Sequence, residues 1–500
     1  MSFSVDSSNR VTGFASGLDT DEIIKGMMGT YQARLDKQGQ QTARLEWKAD
    51  AYREVNTLIK NFREKYMSML SDAKMLSSTS YRSMTAAFTN PTSAVSISAS
   101  SSAVAGSYTI NEITELATAP KISSKDAFTG TSYSSDTTLE NLALANAFTF
   151  DASDELSFSI NGETFTFSKD TTIGDMMRTV NDSDAGVTMR YSSLTKGFSL
   201  SSDTTGSASV INIVNISGNA FAAVDSALGI SEGIDIYTGQ DAECVIEGMP
   251  VTQSSNTFTF DGITYTLTDE SPATPIEFTV EQDYQSTVDR IMGFVDAYNE
   301  LVDTLQTKIQ EDVYYDYPPL TDSQREEMDD SEIEKWEEKA MSGALYNDTY
   351  ISSLLTTMRG AFYATVDGTG MNLADIGLTT GSYKNGAKIE VDEEKLLNAV
   401  KSDPETVRNM FVQNSETDSF SEKGLIVRLS DSLLNYTEQA TDIALDSLER
   451  KISDSEDKVE TLERYMMEKE ESLWAKFSEM EAALSRLNSM SNWLSSLFTY

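Results

Sequence analysis

Ile452, Val459, Met466, Leu473, Met480, Leu487 and Leu494 stand at unbroken seven-residue intervals, and no proline or glycine interrupts the chain between Gly424 and Tyr500. A heptad sustained over this length commits the C-terminus to one or two long helices that bury one stripe against another helix. The companion row is Leu448, Ser455 and Leu462, then Lys469, and beyond Leu473 it moves to Phe477 and Leu484. A one-position move marks a change of helix face or a bend, not a helix end.

The N-terminus offers the partner stripe. A helix is expected to open near Asp19, with Asp21 and Glu22 suited to its first turn. Tyr31, Leu45, Tyr52, Ile59 and Tyr66 share one seven-residue lattice, broken only by Gln38. Met28, Leu35, Thr42 and Ala49 form the second row, which shifts to Val55, Phe62 and Met69. The terminal helices are therefore expected to pack together, with everything between them a nested insertion.

That insertion changes period from seven to two. Val95–Ala99 and Tyr108–Asn111 alternate, and two strand–turn–strand patterns follow. One runs Leu156–Ile160, Asn161-Gly162, Thr164–Phe167; the other Thr257–Phe260, Asp261-Gly262, Ile263–Leu267, each reading as a hairpin. Ile173–Asn181 reads as a short helix, Val187–Tyr191 and Phe198–Leu200 as strands. Thr287–Gln310 returns to helix, with Val288, Ile291, Met292, Val295, Tyr298, Leu301, Val302 and Leu305 on one face. Residues 311–339 hold twelve acids and three bases, and after Pro318-Pro319 a turn at Leu320-Thr321-Asp322 starts a short, solvated acidic helix.

The expected fold class is α+β and multidomain, with N- and C-terminal helices paired as a coiled coil or bundle around nested β-rich domains. The expected divisions are terminal leg segments at 1–40 and 455–500, disordered or helical until assembled; a helical stalk at 41–78 and 284–454; a β-rich domain at 79–120 and 240–283; and an outer β-rich insertion at 121–239.

Composition removes most chemistry. The chain has no histidine, which excludes His-based triads and the commonest zinc sites. Its one cysteine, Cys244, can form no intrachain disulfide and reads as a small buried hydrophobe in a strand. The net charge is −41, and no Lys or Arg occurs from Gly197 to Asp289, so nucleic-acid binding through the middle is excluded by phosphate repulsion. Anionic membrane surfaces are disfavoured for the same reason. The start, Met1-Ser2-Phe3-Ser4-Val5-Asp6, has no basic and apolar leader pattern, and no run of about 18 apolar residues is present, so neither signal peptide nor membrane span is expected. Asp367-Gly368-Thr369-Gly370 reverses the order of an aspartic-protease motif, has no second copy, and reads as a turn. No catalytic, cofactor-binding or metal-binding residues are expected.

The apolar load on the ends is left over. Phe14, Leu18, Ile23, Ile24, Met27 and Met28 crowd one terminus; Trp474, Phe477, Trp493, Leu494, Leu497 and Phe498 crowd the other. Either these ends close on each other within one chain, or they are exposed and buried only on assembly. The second reading is favoured, because large exposed apolar patches mark interaction sites. The expected partner-binding residues are Phe14, Leu18, Ile23, Met27, Leu473, Phe477, Met480, Leu484, Leu487, Trp493, Leu494 and Phe498.

Several stretches resemble the flagellar hook-associated protein 2 (filament cap) family. Thr12-Gly13-Phe14-Ala15-Ser16-Gly17-Leu18-Asp19-Thr20-Asp21-Glu22-Ile23-Ile24 is similar to its opening signature, and Ala105–Ile110 with Glu115-Leu116-Ala117 to a second landmark. Asp241–Gly248, Ser255-Asn256-Thr257 and Asp261–Leu267 resemble the start of its C-terminal region, and Phe294–Leu301 is the sharpest match. The block Pro319–Ala340 and the terminal Leu484–Leu494 are also similar. The weakest stretch is about 120–240.

The resemblance implies a structural protein exported through the flagellar type III apparatus without a cleavable signal. It implies a ring of copies at the extracellular filament tip that promotes folding and insertion of flagellin. Partners implied are flagellin, the hook–filament junction protein, a cytoplasmic export chaperone held within about Leu473–Phe498, and in some members a host surface. A flagellin-like or junction subunit is the alternative; a secreted adhesin or hydrolase is the weaker rival.

Overall fold

The computed structural model describes residues 17–231, 237–271, 275–381, 387–415 and 419–497. Two compact units divide the chain: residues up to Tyr81 with those from Tyr284 onward, and Arg82–Asp283 between them. The helices are α1 (Thr20–Met67), α2 (Ile173–Asn181), α3 (Tyr284–Gln310), α4 (Asp322–Glu326), α5 (Asp330–Met341), α6 (Thr349–Tyr363), α7 (Glu393–Ser402), α8 (Pro404–Val412), α9 (Leu425–Asn435) and α10 (Thr441–Leu497).

The first unit is helical and is built from both chain ends. The Asp19 side chain caps α1 by accepting from the Glu22 amide at 3.1 Å, where the sequence places the start. Ala49, Tyr52, Val55, Ile59, Phe62 and Tyr66 then enter one core with α3, α6, α8, α9 and the start of α10. From α3 that core takes Val288, Ile291, Val295, Tyr298, Leu301, Val302 and Leu305, the face read from spacing, while Met292 is only half-buried. The Met69 row is a correction. α1 ends at Met67, Ser68 is extended, and the Met75 amide returns to the Tyr66 carbonyl at 2.6 Å, leaving Met69 exposed and seating Met75 in its stead.

Two polar side chains fix the middle of this core. Asp348, buried, caps α6 by accepting from Tyr350 and Ile351 amides at 3.0 and 3.2 Å. It also accepts from the Tyr52 hydroxyl and lies 3.7 Å from Lys48 Nζ, which ties α6 to α1. Burial, then this hydrogen bond, push the Tyr52 phenol well above its ordinary value. Arg428 on α9 is fully buried, and all five of its N–H directions are used. Nε donates to Phe420 O at 2.8 Å, one terminal nitrogen to Ala361 and Ala364 O at 3.2 and 2.7 Å, the other to Thr365 and Ser421 O at 2.7 and 3.1 Å. The guanidinium thus ties the Ala361 carbonyl in the last turn of α6, and those of Ala364 and Thr365 just beyond it, to the Phe420–Ser421 segment.

Thr321 caps α4 in a capping box, as the turn at Leu320-Thr321-Asp322 predicts, and no residue of α4 or α5 is fully buried. A π-turn, Tyr436–Ala440, joins α9 to α10, so the Gly- and Pro-free C-terminus forms two helices with a rewound joint. Asp367–Gly370 is a turn, with Gly368 and Gly370 at φ +88° and +68°.

The second unit is β-rich with two hydrophobic clusters. Five antiparallel strands run in the spatial order Met84–Phe88, Ile276–Gln282, Gly106–Glu115, Ala242–Ile246, Met249–Gln253. A three-stranded sheet, Thr257–Phe260, Ile263–Leu267 and Val95–Ala99, shares their core. Ile263, Tyr265 and Leu267 point inward there, and Cys244 is buried among them. The other cluster spans Ala127 to Ile230 and packs α2 and two three-stranded sheets around Phe158, Phe198 and Phe221. Both hairpins form at their expected turns, with φ of +51° and +89° at Asn161 and Gly162, and +48° and +78° at Asp261 and Gly262.

Candidate assembly surface

α1 and α10 run antiparallel, which the paired contacts fix. Arg53 meets Glu449 at 3.4 Å, Thr42 meets Ser455, and the Tyr31 and Tyr465 rings lie edge to face at 5.6 Å. The pairing has two parts. On the body side, Leu45, Ala49, Leu448 and Ile452 belong to the shared helical core. Beyond them comes a polar layer. Gln38 Nε2 donates to Ser455 Oγ at 2.6 Å, the Ser455 and Thr42 hydroxyls meet at 2.8 Å, and Thr42 donates to the Gln38 carbonyl at 3.1 Å. Ser455 is only 2% exposed, so each of these hydrogen bonds replaces one to water. Past the layer the two helices continue with Leu35, Tyr31, Met28 and Ile24 facing α10.

The register carries Thr20 to about the level of Phe477, and α10 goes on from there. Its 57 residues span roughly 85 Å at 1.5 Å per residue. The residues named from sequence fall into graded environments along it. Leu473, Phe477, Met480 and Leu484 are half-buried, whereas Leu487, Trp493 and Leu494 are 60%, 62% and 48% exposed. Leu18, just ahead of α1, and Ile23 and Met27 on it are exposed, while the adjacent Ile24 and Met28 are buried against the partner helix. Phe14 and Phe498 lie outside the described residues. Met490, which its helical spacing marks as core or partner-interface filler, is 61% exposed; sequence reading missed Met467 and Tyr465, also exposed. Met467 lies off the hydrophobic rows, and Tyr465 flanks the seam, with its ring against Tyr31 and its outer edge exposed.

Two clefts lie among the described helices. One, of about 470 Å³, lies between α1 and α10 and is lined by Glu46, Trp47, Asp50, Arg53, Glu449, Ile452, Ser453 and Glu456. Another, of about 540 Å³, lies beside the π-turn and is lined mainly by Tyr350, Leu354, Phe420, Lys423, Asp431 and Tyr436. Among the described residues no group of three His, Cys, Asp or Glu side chains is placed to hold a metal ion, and no helix is long and apolar enough to cross a membrane. Burial pushes the Cys244 thiol up to about 11, the opposite of what a reactive cysteine needs.

The family models and the relatives by sequence agree with one another. The family model described as flagellar hook-associated protein 2 N-terminus matches residues 16–120, and that described as its C-terminus matches 239–489. The stretch between the two matches holds the Ala127–Ile230 cluster. Flagellar hook-associated protein 2 of Halalkalibacterium halodurans is 27% identical over 531 aligned residues that take in 96% of this chain and 98% of the relative. The Thermotoga maritima protein of the same name is 28% identical over 352, covering 67% of this chain and 54% of that one. Three domains of the flagellar cap protein FliD from Escherichia coli overlie 80% of this chain and 99% of that structure, with a TM-score of 0.49 and 20% identity.

Proposed function

Because the chain belongs to the flagellar hook-associated protein 2 family, we propose that it caps the growing flagellar filament, assembling with copies of itself at the extracellular tip and promoting the folding and insertion of flagellin. The role is structural and non-catalytic. The observation that carries this reading is the run of α10 beyond the level of Thr20, where Leu487, Met490, Trp493 and Leu494 stay exposed on a continuous helix. An exposed apolar stripe on a long helix marks an interaction site.

Leu473, Phe477, Met480 and Leu484 with the exposed tail, and Leu18, Ile23 and Met27 at the start of α1, are the surface we assign to neighbouring copies, the filament end and, before export, a chaperone. Residues 1–40 and 455–500 act as legs and 41–78 with 284–454 as stalk. Residues 79–120 with 240–283, and 121–239, supply two β-rich domains whose exposed faces meet flagellin and, in hosts, adhesion targets. Electron microscopy of filaments grown by cells lacking this chain tests the proposal. Full-length filaments supplied by the restored chain are the expected result; filaments that grow equally well without it would refute it.

A further inference from the structure

The α1/α10 pair carries its charges in an arrangement that a lone chain does not favour. On α10, Glu449, Glu456, Glu463 and Glu470 form a seven-residue row directly after the seam residues Leu448, Ser455, Leu462 and Lys469. Lys451 and Lys458 sit on the other side of the seam, directly before Ile452 and Val459. On α1 the division repeats. Glu46 and Asp50 flank one side, and Arg34, Lys37 and Arg44 flank the other. The acidic sides of the two helices coincide, because Glu46 and Asp50 line one cleft with Glu449 and Glu456, with Trp47 and Ile452 beside them. The basic rows therefore share the opposite flank.

Antiparallel helix pairs gain specificity when flanking residues across the seam carry opposite charges. Here acid lies across from acid and base across from base. Arg53, which bridges Asp50 at 2.8 Å and Glu449 at 3.4 Å, relieves only one end of the acidic flank. Arg34, Lys37, Arg44, Lys451 and Lys458 are exposed and make no ion pair among the described residues. In a chain of net charge −41, this stripe is a local reversal of sign.

We infer that the acidic flank of one copy docks on the basic flank of a second copy of this chain. The two flanks are different surfaces of one helix pair, so the contact is head-to-tail and each copy uses both flanks. Such a contact propagates, and it closes into a ring where the rotation between copies closes. The charge complementarity selects the partner, and Trp47 and Ile452 in the cleft lining add apolar area. The inference rests on the self-association proposed above and names the surface that performs it.

The test uses the full chain in low salt and reads the mass distribution of single particles against concentration. Variant A carries Glu46→Lys, Glu456→Lys and Glu463→Lys, which leave the Arg53–Glu449 pair in place. Variant B carries Lys37→Glu, Lys451→Glu and Lys458→Glu. Each alone is expected to need at least about tenfold higher concentration to assemble, with an unchanged melting temperature. For variant A this loss runs against overall charge, since it is less negative than the parent. A one-to-one mixture regains assembly, because each variant then offers the flank the other lacks. Either variant assembling alone like the parent, or a mixture that fails to recover, overturns the flank contact while leaving self-association standing. A parent chain that stays monomeric at every concentration removes the self-association reading and this contact with it.

Discussion

Thr42 and Ser455 meet hydroxyl to hydroxyl at 2.8 Å in the seam between α1 and α10, 413 residues apart in sequence. With Gln38 they close a circuit in which each donor has an acceptor, placed where the helix pair leaves the shared core. An apolar layer tolerates sliding by one heptad; this one does not, because a slip strands two buried hydroxyls and the half-buried Gln38 amide. The layer sets register at some cost in stability.

Ser455→Ala removes the partner of both Gln38 and Thr42 and is expected to lower stability by about 1–2 kcal/mol. The triple change Gln38→Leu, Thr42→Val, Ser455→Leu should instead raise the melting temperature while broadening amide exchange along residues 20–41. Urea titration and hydrogen exchange measure the two effects. A triple variant that melts lower than the parent would show that the layer stabilises the pair as well as aligning it.

Arg428 is the residue whose loss is expected to cost most. Arg428→Ala leaves carbonyls of Phe420, Ala361, Ala364, Thr365 and Ser421 without their donor inside the core, a loss of about 3–5 kcal/mol. Arg428→Lys should recover little, since an ammonium has three donors and no planar fork. Chemical denaturation of the two variants provides the check, and a lysine variant as stable as the parent would contradict the account.

Deleting residues 480–500 removes Leu484, Leu487, Trp493 and Leu494 from a part of α10 that lies past the level of Thr20. The remaining helix pair and both β clusters are expected to stay folded, with near-parental circular dichroism per residue, while filament capping is lost. Filaments assembled normally by the truncated chain would remove the leg assignment.

Much of the fold was legible in the sequence where a local signal coincides with the tertiary demand. Asp19 caps the helix it precedes, Ile173–Asn181 is helical from end to end, and both turn dipeptides close the hairpins they predict. The Met69 row was misread because a heptad lattice says nothing about where the chain leaves the helix; the return of Met75 to Tyr66 decides that. Arg428 gave no signal, since its acceptors are backbone carbonyls, three of them more than 60 residues away. The short strands Leu378–Thr380 and Ile389–Val391 were equally hidden, being too brief to show a period. In the candidate assembly surface, the apolar rows revealed the seam, but not which members α1 covers, because that depends on the register set by Ser455.

Cys244 is expected to resist thiol reagents in the folded chain and to react at least about 100-fold faster in urea. Its raised value also has a sign in pH. Below the ordinary thiol value of 9.0 both folded and unfolded states keep the proton, and the buried neutral thiol contributes its full stability. Between pH 9 and about 11 the unfolded chain loses the proton first, so stability falls as pH rises through that window. Cys244→Ala should flatten this part of the stability–pH curve relative to the parent; an unchanged slope would mean that the thiol does not titrate on unfolding.

The two hairpin glycines look alike in sequence and should differ in cost. Gly162 and Gly262 both follow a turn residue and both have positive φ, +89° and +78°. A Cβ built on Gly162 meets nothing within 4 Å, so Gly162→Ala carries only the backbone penalty, about 1 kcal/mol. On Gly262 it would lie 2.6 Å from the Ala103 amide nitrogen and 2.6 Å from Ser102 Oγ, and backbone cannot give way as a side chain can. Gly262→Ala is therefore expected to lose about 2–3 kcal/mol, with the excess over Gly162→Ala reporting the approach of the 100–103 turn. Equal losses in the two variants, measured by denaturant titration of the full chain, would show that this turn yields and that φ alone sets the cost.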